Sequence, residues 1–108
     1  MAKKYKIAKS GLTKEQAQYF LRTVADDTAF WVAGGPVYRN LEDLANGLKT
    51  IDDGQFNFHV NSDKNDFYNW VNDIIGDKEL CAGIKGAKTK EAMQRKVEGR
   101  VAQLKKAA

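Results

Sequence analysis

The sequence predicts a mainly α domain carrying one small β-hairpin, an α+β fold closed by a basic C-terminal helix. Apolar residues recur at helical spacing in separate segments, as in Leu41, Leu44, Ala45 and Leu48, or Phe67, Trp70, Val71, Ile74 and Ile75. One stretch, "FWVAGGPVY", instead sets strand-forming residues on both sides of Gly34-Gly35-Pro36. The chain has 108 residues, 43% of them hydrophobic, which suits one domain with one core.

The elements follow in order. Residues 1–11 are a Lys-rich arm. Thr13 with Gln16 has the spacing of a capping box, and Leu12, Phe20, Leu21 and Val24 supply an apolar stripe, so a helix is expected over about 14–25, ended by Asp26-Asp27. The hairpin spans about 28–39. A lone hairpin is marginal in water, so this one must pack on helices. Asn40, with Asp43 three residues on, starts the next helix, and Asp52 caps a short one through "DGQFNFHV". Ser62 is the expected cap of the central helix, with Asp63 and Asp66 in its first turn, where the helix dipole favours negative charge. Gly76 closes that helix and Asp77 caps "KELCAGI". Residues 12–86 thus form the helical core. Residues 87–108 form a basic helix capped by Thr89, with a narrow stripe of Met93, Val97, Val101 and Leu104. The predicted core contains Trp31, Phe56, His59, Phe67, Trp70, Val71 and Ile74, with Trp31 of the hairpin packed against Trp70.

"FWVAGGPVYRNLEDLANGL" followed by "HV…KNDFYNWVNDIIGDKEL" resembles a family of small prokaryotic domains of unknown function. The likeness covers roughly residues 28–97. It rests on His59, Val60, Lys64, Asn65, Asp66, Phe67, Trp70, Val71, Gly76, Asp77 and Leu80, with Cys81 where alanine is expected. The resemblance implies a helical domain with a hairpin. It implies no activity and no catalytic residues.

The chemistry-bearing residues are few. One His and one Cys, with no Cys-x-x-Cys and no His pair, predict no zinc site. "SDKNDFYNWVND" lacks the Gly and Glu of a calcium loop, so no metal and no cofactor are expected. Cys81 reads as a small buried hydrophobe. His59 reads as a structural ring bonded to backbone or to Asp63 or Asp66, and Lys64 as the partner of a nearby carboxylate. The glycine turns match no nucleotide-binding loop. The chain is therefore expected not to be an enzyme. A single cysteine and the lack of any long apolar run point to a cytoplasmic protein with no membrane partner.

Charge is divided along the chain. Residues 1–30 carry six Lys/Arg and three Asp/Glu (+3), residues 31–80 four and nine (−5), and residues 81–108 eight and two (+6). The basic ends point to phosphate contact: a nucleoid-associated type of protein that binds duplex DNA through Lys3, Lys4, Lys6, Lys85, Lys88, Lys96, Arg100, Lys105 and Lys106, without sequence preference. Lys96 and Arg100 are expected on a solvated face. With no aromatic residue among these cations, single-stranded RNA is disfavoured. The alternative is a protein–protein interaction module or homo-oligomer whose hairpin or C-terminal stripe takes the partner.

Overall fold

The computed structural model describes residues 11–108, so Lys3, Lys4 and Lys6 lie outside the described residues. Helix α1 (Lys14–Phe20) leads through a 3-10 turn (Asp26–Thr28) into a two-stranded antiparallel hairpin, β1 (Phe30–Trp31) and β2 (Val37–Tyr38). Then come α2 (Leu41–Gly47), α3 (Asp53–His59), α4 (Asp66–Trp70), α5 (Lys78–Ile84) and α6 (Lys90–Ala107). The long α6 packs against α1, α2 and α5, and α2 also packs against β2. This is the expected mainly α fold with a hairpin, among the described residues.

Most caps are the ones the sequence spells. Thr13 and Asp52 each complete a capping box with a Gln three residues later. Asn40, Asp77 and Thr89 each accept the backbone amide three residues on, at the third position of their helix. Helix α1 stops at Phe20, short of the expected 25, because the Arg22 amide turns back to Tyr19 and the Val24 amide bonds the Arg39 carbonyl beside the hairpin. The central helix also starts later than Ser62. Residues 61–64 close a tight loop in which the Asn61 amide donates to the Lys64 carbonyl, and Asn65, not Ser62, caps α4 through the Tyr68 amide.

Past Trp70 the helix widens into a π-turn (Val71–Ile75), ended by Gly76 at φ +88° with its amide on the Val71 carbonyl. Only glycine adopts that conformation without strain. The wider turn shifts the apolar stripe: Val71 and Ile75 are fully buried, while Ile74, expected in the core, is only partly so. Arg22 donates to the carbonyls of Ile74 and Ile75 that the turn leaves free.

The core is organised around Phe30. Its ring stacks on Phe67 at 4.5 Å, meets Trp70 edge-on at 6.0 Å and His59 edge-on at 4.9 Å, and lies parallel to Tyr38 at 6.2 Å. Phe56 stacks on the far side of Phe67. The expected partner of Trp70 was Trp31, and this is corrected: Trp31 is 60% exposed. Successive strand side chains alternate between faces, so with Phe30 and Val32 turned inward, Trp31 faces out. Its indole donates to the Asp26 carbonyl. Trp70 is anchored separately, its indole donating to the Thr28 carbonyl at 2.8 Å.

Tyr38 is buried against α2 so closely that a Cβ on Gly47 would lie 2.1 Å from its ring, and only glycine fits there. Its hydroxyl finds no hydrogen-bond partner among the described residues, and burial, with Asp43 nearby, pushes its pKa up to about 12.

The parity of the hairpin is open to a direct check. Truncating the hub, Phe30→Ala, should cost about 3–5 kcal/mol, whereas Trp31→Ala should cost less than about 1 kcal/mol. Urea melts followed by circular dichroism measure both. Equal costs would place Trp31 in the core.

Candidate nucleic-acid interface

The four stripe residues of α6, Met93, Val97, Val101 and Leu104, are all buried, which fixes the rotation of the helix. That rotation decides which basic residues reach solvent. Arg100 does not. It is 7% exposed and makes a two-pronged bond to Asp77, Nε to Oδ2 at 2.8 Å and Nη2 to Oδ1 at 2.9 Å. Asp77 is fully buried at the start of α5, where Oδ1 also accepts the Leu80 amide. The remaining guanidinium nitrogen, Nη1, donates to Gln103 and lies 3.4 Å from Glu79. Arg100 is thus a structural residue, and its expected place on a solvated face is corrected. The sequence shows two opposite charges 23 positions apart, one a helix cap and the other one residue from an apolar stripe. Only the crossing of α5 and α6 brings them together.

Lys105 is exposed but engaged, its ammonium 2.6 Å from Glu42 of α2. Lys49 pairs with Glu98 on the same α2–α6 side of the molecule, and Lys90 donates to the Ile51 carbonyl. With these removed, Lys85, Lys88, Arg95, Lys96 and Lys106 remain exposed and without an acceptor among the described residues. Arg95, absent from the expected contact set, joins it. The signal for it was available: Arg95, Gly99 and Lys106 are separated by 4 and 7 residues, so they share one flank of α6 with its basic groups.

That flank borders a cleft of about 250 Å³ between α5 and α6. Leu80 and Gly83 line it from α5 and Gly99 from α6, with Arg95, Lys96 and Gln103 around its mouth. Glu79 of α5 also lines it, its carboxylate 3.4 Å from the Arg100 guanidinium. The structure therefore brings Arg95 and Lys96 together on one cleft, while Lys85 and Lys88 sit on the approach to α6 and Lys106 near its end.

The His59 cluster lies elsewhere. His59 is buried, and both ring nitrogens are taken: Nε2 accepts the Ala33 amide at 3.0 Å, so Nδ1 carries the proton and donates to Asp66 at 2.9 Å. Of the partners read from the sequence, a backbone group and Asp66 are bonded to the ring. Lys64 completes the cluster 2.8 Å from the same Asp66 oxygen, with its ammonium over the Phe58 ring. Burial pushes the Asp66 carboxyl up, but the hydrogen bonds from Lys64 and His59 and the Lys64 charge outweigh it and hold it below its ordinary value. Cys81 is buried too, with Sγ near the Tyr68 carbonyl and the Asn72 amide oxygen, and burial pushes its thiol up, away from the reactive thiolate. No three metal-binding side chains converge among the described residues, and no described helix is long and apolar enough to cross a membrane.

Comparison with models of known families, with curated proteins and with solved structures finds no match.

Two outcomes test this assignment of roles. Arg100→Ala leaves Asp77 charged and buried and should cost about 3–5 kcal/mol, while Lys96→Ala should change stability by no more than about 0.5 kcal/mol; paired urea melts compare them, and a mild Arg100→Ala would return that residue to the surface. The second outcome concerns acid. Because Asp66 titrates lower in the folded state, its contribution is complete well above the ordinary value of 3.8 and is lost as pH falls through that value toward the depressed one. Asp66→Asn should therefore be less stable than wild type at neutral pH and lose less stability on acidification. Parallel acid limbs in urea midpoint against pH would overturn that reading.

Proposed function

We propose that this protein is a non-catalytic binder of duplex nucleic acid that grips the phosphate backbone through one flank of α6 and the segment leading into it. The reading rests on one observation. When the cations engaged inside the molecule are set aside, six described ones are left exposed and unsatisfied, and five of them, Lys85, Lys88, Arg95, Lys96 and Lys106, fall along a single stretch of chain, Lys14 of α1 being the sixth. Lysine-dominated surfaces of this kind hold phosphates, which position a protein without reading bases. The exposed aromatics Tyr19, Trp31 and Phe58 belong to α1, β1 and α3, not to this flank, so base stacking has no support there. A nucleoid-associated role in the cytoplasm accords with this mode of binding.

A protein-interaction module is the second reading, favoured by Trp31, a large ring 60% exposed on the hairpin.

Fluorescence anisotropy against random duplexes at several salt concentrations tests the first reading. Five phosphate contacts give a log–log slope of about −4.5, so a rise from about 50 to about 200 mM salt should weaken binding about 500-fold. Duplexes of different sequence should bind alike. Reversing Lys88 and Lys96 to Glu should weaken binding to all of them and leave the melting temperature nearly unchanged. Absence of binding at low salt would remove this reading and leave the interaction module.

A further inference from the structure

We infer that the α5–α6 cleft is the seat of one backbone phosphate of the duplex, admitted to the helix surface by Gly83 and Gly99. The inference rests on the duplex-binding reading and adds a specific place of contact to it. Gly99 stands inside the 18-residue helix α6, where glycine is among the least favourable residues. Nothing in the fold demands it. Its φ is ordinary, and a Cβ built on it would meet no atom within 4 Å. Across the cleft, a Cβ on Gly83 would meet only the aliphatic Lys96 Cδ, at 3.8 Å, an ordinary contact. This differs from Gly47, whose lack of a side chain is fully explained by Tyr38. The two bare positions face the same open volume of about 250 Å³.

Charge selects the occupant. The mouth carries Arg95 and Lys96, both exposed and neither engaged by a carboxylate, and Gln103 adds a side-chain amide whose oxygen is already occupied by Arg100. That leaves the Gln103 amide nitrogen as a further donor. Of the two carboxylates at the cleft, Asp77 is neutralised by its two-pronged bond to Arg100, and Glu79, which lines the cleft, stands 3.4 Å from the same guanidinium, so the two exposed cations Arg95 and Lys96 outnumber the one exposed acid. Two cations and an amide donor around a floor without side chains suit a tetrahedral anion set on a chain, which approaches as a ridge. A second copy meeting this cleft with its own across a two-fold axis would bring the same cations against these and be repelled. The cleft needs no rearrangement to open, because the Asp77–Arg100 bond fixes α5 on α6 directly beneath it.

The test separates this inference from the reading beneath it. In the double variant Gly83→Ala/Gly99→Ala, two methyl groups occupy the floor without a clash, and helix propensity should raise the melting temperature. Anisotropy with random duplex should nevertheless show binding weakened about tenfold, the loss of one charge-assisted contact, and a salt slope smaller by about 0.9. More stable but weaker binding cannot be put down to damaged folding. As a measurement that needs no substitution, proton–nitrogen correlation spectra of the wild-type chain titrated with the same duplex should show the Gly83 and Gly99 amide signals moving early. If wild type binds duplex while the double variant binds equally well, or while the glycine signals stay still, the seat is wrong and the broader reading survives. If wild type binds no duplex at low salt, both fall.

Discussion

A carboxylate and a guanidinium with almost no access to water must keep each other, because either one left alone would be an uncompensated buried charge. Asp77 and Arg100 are in that position, and the packing of α5 on α6 is arranged around them. Asp77 also caps α5, so one side chain both starts that helix and ties it to α6. Arg100 also donates from its remaining nitrogen, Nη1, to Gln103 and lies near Glu79. The crossing of the two helices, and with it the shape of the cleft between them, is set by these bonds together with the stripe of α6. The same pair removes one of the two arginines of the C-terminal helix from the surface, which changes what the basic tail has available for a partner.

The hairpin depends on a different device. The hairpin is only two residues deep on each strand, too little to hold its own shape. It is held by side chains from the helices: His59 takes the Ala33 amide, and Gln55 donates to the Ala33 and Gly35 carbonyls. Phe30 then fills the space between His59, Phe67 and Trp70. His59 in turn is oriented by Asp66, at the start of α4. The polar residues His59, Asp66 and Gln55 thus fasten the turn to the helical core.

Local rules carried the sequence reading far. Caps at Thr13, Asn40, Asp52, Asp77 and Thr89 and the stripes of α2 and α6 need only neighbours within a turn or two, and these were legible. What failed was parity and long-range pairing. Phe30 and Trp31 are both strand formers, and nothing adjacent says which one points inward. The π-turn moved Ile74 outward because a helix-period stripe assumes an unwidened helix. Ser62 was displaced as cap because the loop at 61–64 bonds to itself. At the candidate interface, Lys85, Lys88, Lys96 and Lys106 are exposed, but Arg100 and Lys105 are engaged with acids that lie far away in sequence. Charge counted along a chain does not reveal which charges the fold has already paired.

The contact between Tyr38 and Gly47 has a consequence for how this sequence can change. Any side chain at position 47 would overlap the Tyr38 ring, and any retreat of that ring would open a hole beside α2. The two positions therefore form an epistatic pair, in which the effect of a substitution at one depends on the residue at the other. A bulkier residue at 47 becomes tolerable only after 38 has shrunk, and a smaller residue at 38 leaves a void until 47 has grown. Neither single step is neutral, so sequence drift at this seam between strand and helix is confined to joint exchanges.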